Sequence, residues 1–123
     1  MTAEQAIHSF WSSFNLIAYD QNSVPDDAQL PYITYSLSVD TFNNTVLNTI
    51  SIWYRSTSWI NVTDKAKEII NTITDGGISI PTDKGIIRMN LGNPIYNRMG
   101  DEDGNIKRIR MNIETEYIET RRG

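Results

Sequence analysis

The stretch KRIRMNIETEYI, residues 107–118, decides the fold class. Ile109, Met111, Ile113, Thr115 and Tyr117 fall on one side of an extended chain. Arg108, Arg110, Asn112, Glu114 and Glu116 fall on the other. Strand side chains alternate between faces, so this two-residue period describes a strand with one apolar and one wet face, as in an antiparallel sheet packed on a core. Working outward, residues 31–42 (PYITYSLSVDTF) repeat the pattern. Ile33, Tyr35, Leu37 and Val39 share one face, Thr34, Ser36, Ser38 and Asp40 the other, and Pro31 is tolerated at the strand's start. Asn43-Asn44 reads as a hairpin turn, since asparagine accepts positive φ. A second strand over 45–56 (TVLNTISIWYRS) points Val46, Ile50, Ile52 and Tyr54 inward and Leu47, Trp53 and Arg55 outward, with Asn48 interrupting the inward set. Residues 86–92 make a further strand, followed by a loop through Pro94 and a polar turn at 101–104.

Two segments switch to helical spacing. Thr2 and Gln5 match a capping box, and Ala3, Ala6, Ile7, Phe10, Phe14 and Ile17 recur at three- and four-residue steps, with Trp11 widening the stripe. A polar loop follows at 20–27. Residues 61–75 carry Val62, Ala66, Ile69, Ile70 and Ile73 on one stripe, with Asn61 or Thr63 as the N-cap and Asp64 in the first turn. Gly76-Gly77 ends that helix, the first glycine taking the left-handed cap. A short extended piece at 78–80 leads to Pro81 and a turn at 83–85. The expected architecture is one α+β domain over 1–123. It is a four-stranded antiparallel sheet, with or without a short extra strand, packed against two helices in the order α-β-β-α-β-β.

Composition narrows the function classes. At 123 residues the chain is long enough for one self-sufficient core. It has no cysteine, which removes disulfides, thiolate metal sites and cysteine nucleophiles and fits assembly in a reducing cytosol. The start MTAEQAIHSF lacks a basic region before an apolar run, so no secretory signal is expected, and no apolar run is long enough for a membrane helix. A formal charge of −4 argues against whole-chain attraction to nucleic acid or an anionic membrane.

Candidate chemistry is sparse. His8 is the one histidine, and no partner for a general base is evident beside it. Residues 101–105 have a calcium-loop flavour, but the glycine comes fourth and the flanks read as strands, so a charged hairpin tip is the simpler account. Glu114 and Glu116 share a sheet face with Arg108 and Arg110, which suits cross-strand pairing better than acid–base work. Gly76-Gly77 follows a helix, whereas a phosphate loop precedes one. No catalytic, metal or cofactor residue is therefore assigned. Contact residues are another matter. Trp53, Tyr54 and Trp59 cluster around Arg55 in sequence, and tryptophan, tyrosine and arginine are the residues enriched at interface anchor points. Asp101, Glu102 and Asp103 form an acidic knot, and Lys107, Arg108 and Arg110 a basic one, with Arg121-Arg122 beyond. Opposite patches suit head-to-tail contacts between copies, and solvated surface charge is the plainer alternative.

The order of elements and the phrases LPYITYSLSVDTFNN (30–44), ISIWYRSTSW (50–59), KAKEIINTI (65–73), GGISIPTDKGIIRMNLGNP (76–94) and IKRIRMNIETEYIE (106–119) together resemble the tail-terminator, or tail-completion, family of long-tailed bacteriophages. The resemblance covers nearly the whole chain and is one of layout, without a short invariant motif. It implies a helix-backed sheet that forms a homohexameric ring on the head-proximal end of the tail in the virion. The ring would stop tube growth and join the head. The implied partners are the chain itself, the tail-tube protein and a head-completion or connector protein. No cofactor, no turnover, no membrane and no sequence-specific nucleic acid enter that picture. Another neck or tail component, such as a head-completion protein, and a small ligand-binding regulatory α+β domain are the alternatives, since such sheets host many functions.

Overall fold

The computed structural model describes residues 1–39, 45–74 and 76–119. The Asn43-Asn44 turn, the last residues of the 31–42 strand and the Arg121-Arg122 pair lie outside them. The elements run α1 (Ala3–Ser12), β1 (Ile17–Asp20), β2 (Tyr32–Tyr35), β3 (Val46–Arg55), α2 (Ile60–Ile73), β4 (Ile78–Pro81), β5 (Gly85–Met99) and β6 (Ile106–Glu119). They build one six-stranded sheet in the order β1-β2-β3-β6-β5-β4, curled into a half-barrel. The expected four-stranded antiparallel sheet is therefore wrong in strand number and in kind. The sheet is mixed, because β1 runs parallel to β2 while every other pair is antiparallel.

The extra strands have local causes. The capping box forms as expected: Thr2 Oγ1 accepts from the Gln5 N–H at 3.2 Å and Gln5 Oε1 accepts from the Thr2 N–H at 3.0 Å. The helix then stops at Ser12, short of the predicted Ile17. Asn15 adopts φ 62°, which breaks the helix and sends residues 17–20 out as β1. The extended piece at 78–80 pairs with β5 as β4. The strand expected over 86–92 runs on to Met99, because the chain absorbs Gly92 and Pro94 in a bulge between Leu91 and Tyr96 and then resumes pairing with β6. A Cβ on Gly92 would come within 2.8 Å of Asn112 Cβ, so the bulge lies directly on the neighbouring strand. Asn112 Nδ2 donates to the Pro94 carbonyl at 2.8 Å, which explains a buried amide on the wet face of β6.

Helix α2 also starts earlier than expected. Trp59 occupies the cap position without a side-chain bond, and Ser58 Oγ accepts from the Ile60 N–H at 3.1 Å in its place. Asn61, Thr63 and Asp64 thus lie inside the helix. At its other end Gly77, and not the first glycine, has positive φ, following Thr74 at φ 60°. Both helices pack on one face of the sheet. Ile7, Trp11 and Phe14 from α1 and its exit, and Val62, Ala66, Ile69 and Ile73 from α2, join Ile33, Ile50, Ile52, Ile87, Met89, Ile109, Met111 and Ile113 in one core. Lys65 Nζ donates to the Phe14 carbonyl at 2.7 Å, tying the second helix to the end of the first.

Candidate functional site

Alternation along β3 and β6 places Trp53 and Arg108 on the sheet face that carries no helix, directly opposite each other in register. The Arg108 guanidinium lies over the Trp53 ring at 4.4 Å from its centroid, and Arg108 Nε donates to Ser51 Oγ at 3.1 Å. Trp53 Nε1 donates to Thr34 Oγ1 at 3.0 Å. The row continues outward. Tyr32 stands 6.1 Å from Trp53, and Tyr19 packs edge-on to Tyr32 at 5.6 Å. A ladder of Tyr19, Tyr32, Trp53 and Arg108 thus crosses four strands. Burial beneath this row, and then neighbouring Arg110, push the Arg108 guanidinium below its ordinary pKa, with Asp101 partly opposing them. Arg110 stands exposed beside it.

Trp59 belongs elsewhere. It packs against the core on the helix side, with Arg98 over its ring at 4.9 Å and Lys107 at 5.5 Å. The expected aromatic cluster around Arg55 therefore does not exist as one patch, since the two tryptophans serve opposite faces of the sheet. Arg55 instead contacts Asp103 at 3.4 Å between exposed side chains, a pair of small energetic weight. The acidic knot closes the β5–β6 hairpin. Asp101 Oδ1 accepts from the Asp103 N–H at 2.9 Å, Asp103 Oδ1 from the Asn105 N–H at 2.8 Å, and Lys107 Nζ donates to the Gly104 carbonyl. Glu102 is exposed at its tip. Glu116 lies directly opposite Arg88 in the β5–β6 register, while Glu114 is exposed.

A second feature was invisible in sequence. The polar side of α1 and the ends of β1 and β2 enclose a groove of about 780 Å³, lined by Glu4, His8, Ser12, Asp20, Tyr35 and Leu37 among others. His8 Nδ1 lies 3.1 Å from the Tyr35 hydroxyl and His8 Nε2 lies 3.5 Å from Ser12 Oγ. His8 thus has the partner that sequence could not supply, because Tyr35 is 27 positions away. The Ser12 contact is at the long limit of a hydrogen bond, which is poor geometry for activating a nucleophile. Among the described residues no group of three histidine or carboxylate side chains converges to hold a metal, and no helix is long and apolar enough to cross a membrane.

Burial chiefly, then the Asp20 and Glu4 carboxylates, raise the Tyr35 hydroxyl above its ordinary pKa. As pH climbs through the ordinary tyrosine range the unfolded chain releases this proton first. The folded state then binds more protons, and stability falls with rising pH. Tyr35→Phe is therefore expected to lose less unfolding free energy than wild type between about pH 9 and about pH 11 in urea titrations. An equal slope in both proteins would refute the assignment.

No family model matches the chain, and no curated protein matches its sequence. Among solved structures, a chain from the virion of a native gene transfer agent particle superposes with a TM-score of 0.67, covering 94% of each chain at 11% identity. The two chains share a fold.

Proposed function

We propose that this chain is a structural protein of a phage-type particle, acting as a tail terminator that caps the head-proximal end of the tail tube and contributes to head joining. The observation that carries this reading is the end-to-end likeness, over 94% of both chains, to a component of a gene transfer agent virion. The resemblance of the sequence layout to tail terminators supplies the finer role. The helix-free face supports it too, because Tyr19, Tyr32, Trp53 and Arg108 present a preorganised row of the residue types that anchor protein contacts. Function is then geometric: a ring of copies, six by the resemblance, seats on the tube, and no substrate is turned over. The partners are the chain itself, the tail-tube protein and a head-completion or connector protein.

The test is tube growth. Purified chain added to polymerising tail-tube subunits is expected to yield tubes of bounded length, and unrestricted growth would sink the terminator reading. Trp53→Ala is expected to lengthen the tubes while costing the fold only about 1–2 kcal/mol, since Trp53 is half-buried and lies outside the core.

A further inference from the structure

A ring of identical subunits needs two different surfaces that fit each other. The acidic knot is a weak candidate for one of them, because Asp103 meets Arg55 and both Asp101 and Asp103 hold backbone N–H groups of their own turn. The groove beside α1 is a better one. Glu4 and Asp20 line it, and among the described residues no lysine or arginine does. One Asp20 oxygen accepts from the Asn22 N–H and the N-terminal ammonium at the groove is taken by Asp83, while among the described residues neither Glu4 nor Asp20 forms an ion pair. Tyr35 and Leu37 supply an apolar floor. The complementary charge sits on the other side of the sheet, where Arg110 is exposed next to the half-buried Arg108 and likewise has no ion pair among the described residues. Groove and arginine pair lie on opposite faces of one sheet, so they cannot meet within a subunit.

We infer that the α1 groove receives the helix-free face of a second copy around Arg110 of β6, with Glu4 and Asp20 facing the guanidinium and the Trp53–Arg108 row covering the rim. The contact is head-to-tail, the kind that closes a ring when the rotation between copies divides a full turn. This inference rests on the ring reading above and assigns its two surfaces.

The cysteine-free chain makes the test clean, because any thiol on this chain is an introduced one. Gln5→Cys places a thiol on the groove's lining and Asn97→Cys places one opposite Arg110 in the β5–β6 register. Mixed and oxidised, with and without tail tubes, the two single variants are expected to form a disulfide-linked dimer that neither forms alone. Adding Arg110→Glu to the Asn97→Cys chain is expected to lower the yield at least about tenfold, and Glu4→Arg on the groove chain to restore it, as charge reversal across a direct contact requires. Circular dichroism of each variant checks the fold. Rings that form without the mixed disulfide would overturn the groove assignment and leave the ring reading intact. Monomers under every condition would overturn both. A groove cysteine that links only to supplied tube protein would overturn the second copy as the occupant.

Discussion

Trp11→Ala is expected to lower the unfolding free energy by about 3–5 kcal/mol, a large share of the stability available to a domain of this size. Trp11 is 2% exposed, packs edge-on against Phe10 at 4.8 Å and lies 6.0 Å from Phe14. These rings fasten α1 to the sheet, and Phe14 carries the chain on into β1. Deleting the indole removes its transfer energy and leaves a cavity that Ala6, Ile7 and Phe14 can collapse into only partly. Urea denaturation followed by far-ultraviolet circular dichroism measures the loss. A change under about 1 kcal/mol would show that α1 is held by other contacts.

Asn48→Ala is the second large effect, expected at about 2–4 kcal/mol by the same measurement. Asn48 is 4% exposed on the inward stripe of β3. Its Oδ1 accepts from the Ser38 N–H at 2.7 Å and its Nδ2 donates to the Ser38 carbonyl at 2.9 Å. One amide thereby replaces the backbone pairing that the chain gives up after Ser36, whose N–H still donates to the Thr49 carbonyl at 3.0 Å. Ser36 adds a hydroxyl donation to the same Oδ1 at 3.3 Å. Alanine leaves these polar groups unpaired in a partly buried place. Asn48→Asp should fail as well, because a carboxylate accepts from the Ser38 N–H but donates nothing to its carbonyl.

This residue also shows what a sequence reading can and cannot reach. Strict alternation made β6 legible, and its apolar residues Ile109, Met111 and Ile113 are buried as expected. The same reading flagged Asn48 as a break in the inward stripe but could not show the partner at Ser38, which lies across the strand pair. β1 was lost because Phe14 and Ile17 continue the helical spacing, and only the left-handed turn at Asn15 separates them. The far half of β5 was lost because Gly92 and Pro94 are ordinary breakers, tolerated here by a bulge seated on Asn112. Among the contact candidates, Trp53 and Arg108 do meet, since register brings strands together. Trp59 does not join them, because it caps α2 on the other face. Tyr32 and Tyr19 are missing from the contact candidates: the outer-face alternation is read from Thr34 onward, and β1, which carries Tyr19, is not legible as a strand.

The sheet ends in two strands of only four residues each, β1 and β4, and β4 finishes on Pro81, which has no N–H to offer. Long bare margins invite further backbone pairing and hence growth without a fixed count. Margins this brief provide few rungs for an incoming strand. The ring proposed above would then rest on side-chain contacts, whose fit is angular and can close on a set number. For the proposed terminator role, a poor template for strand addition is the fitting margin.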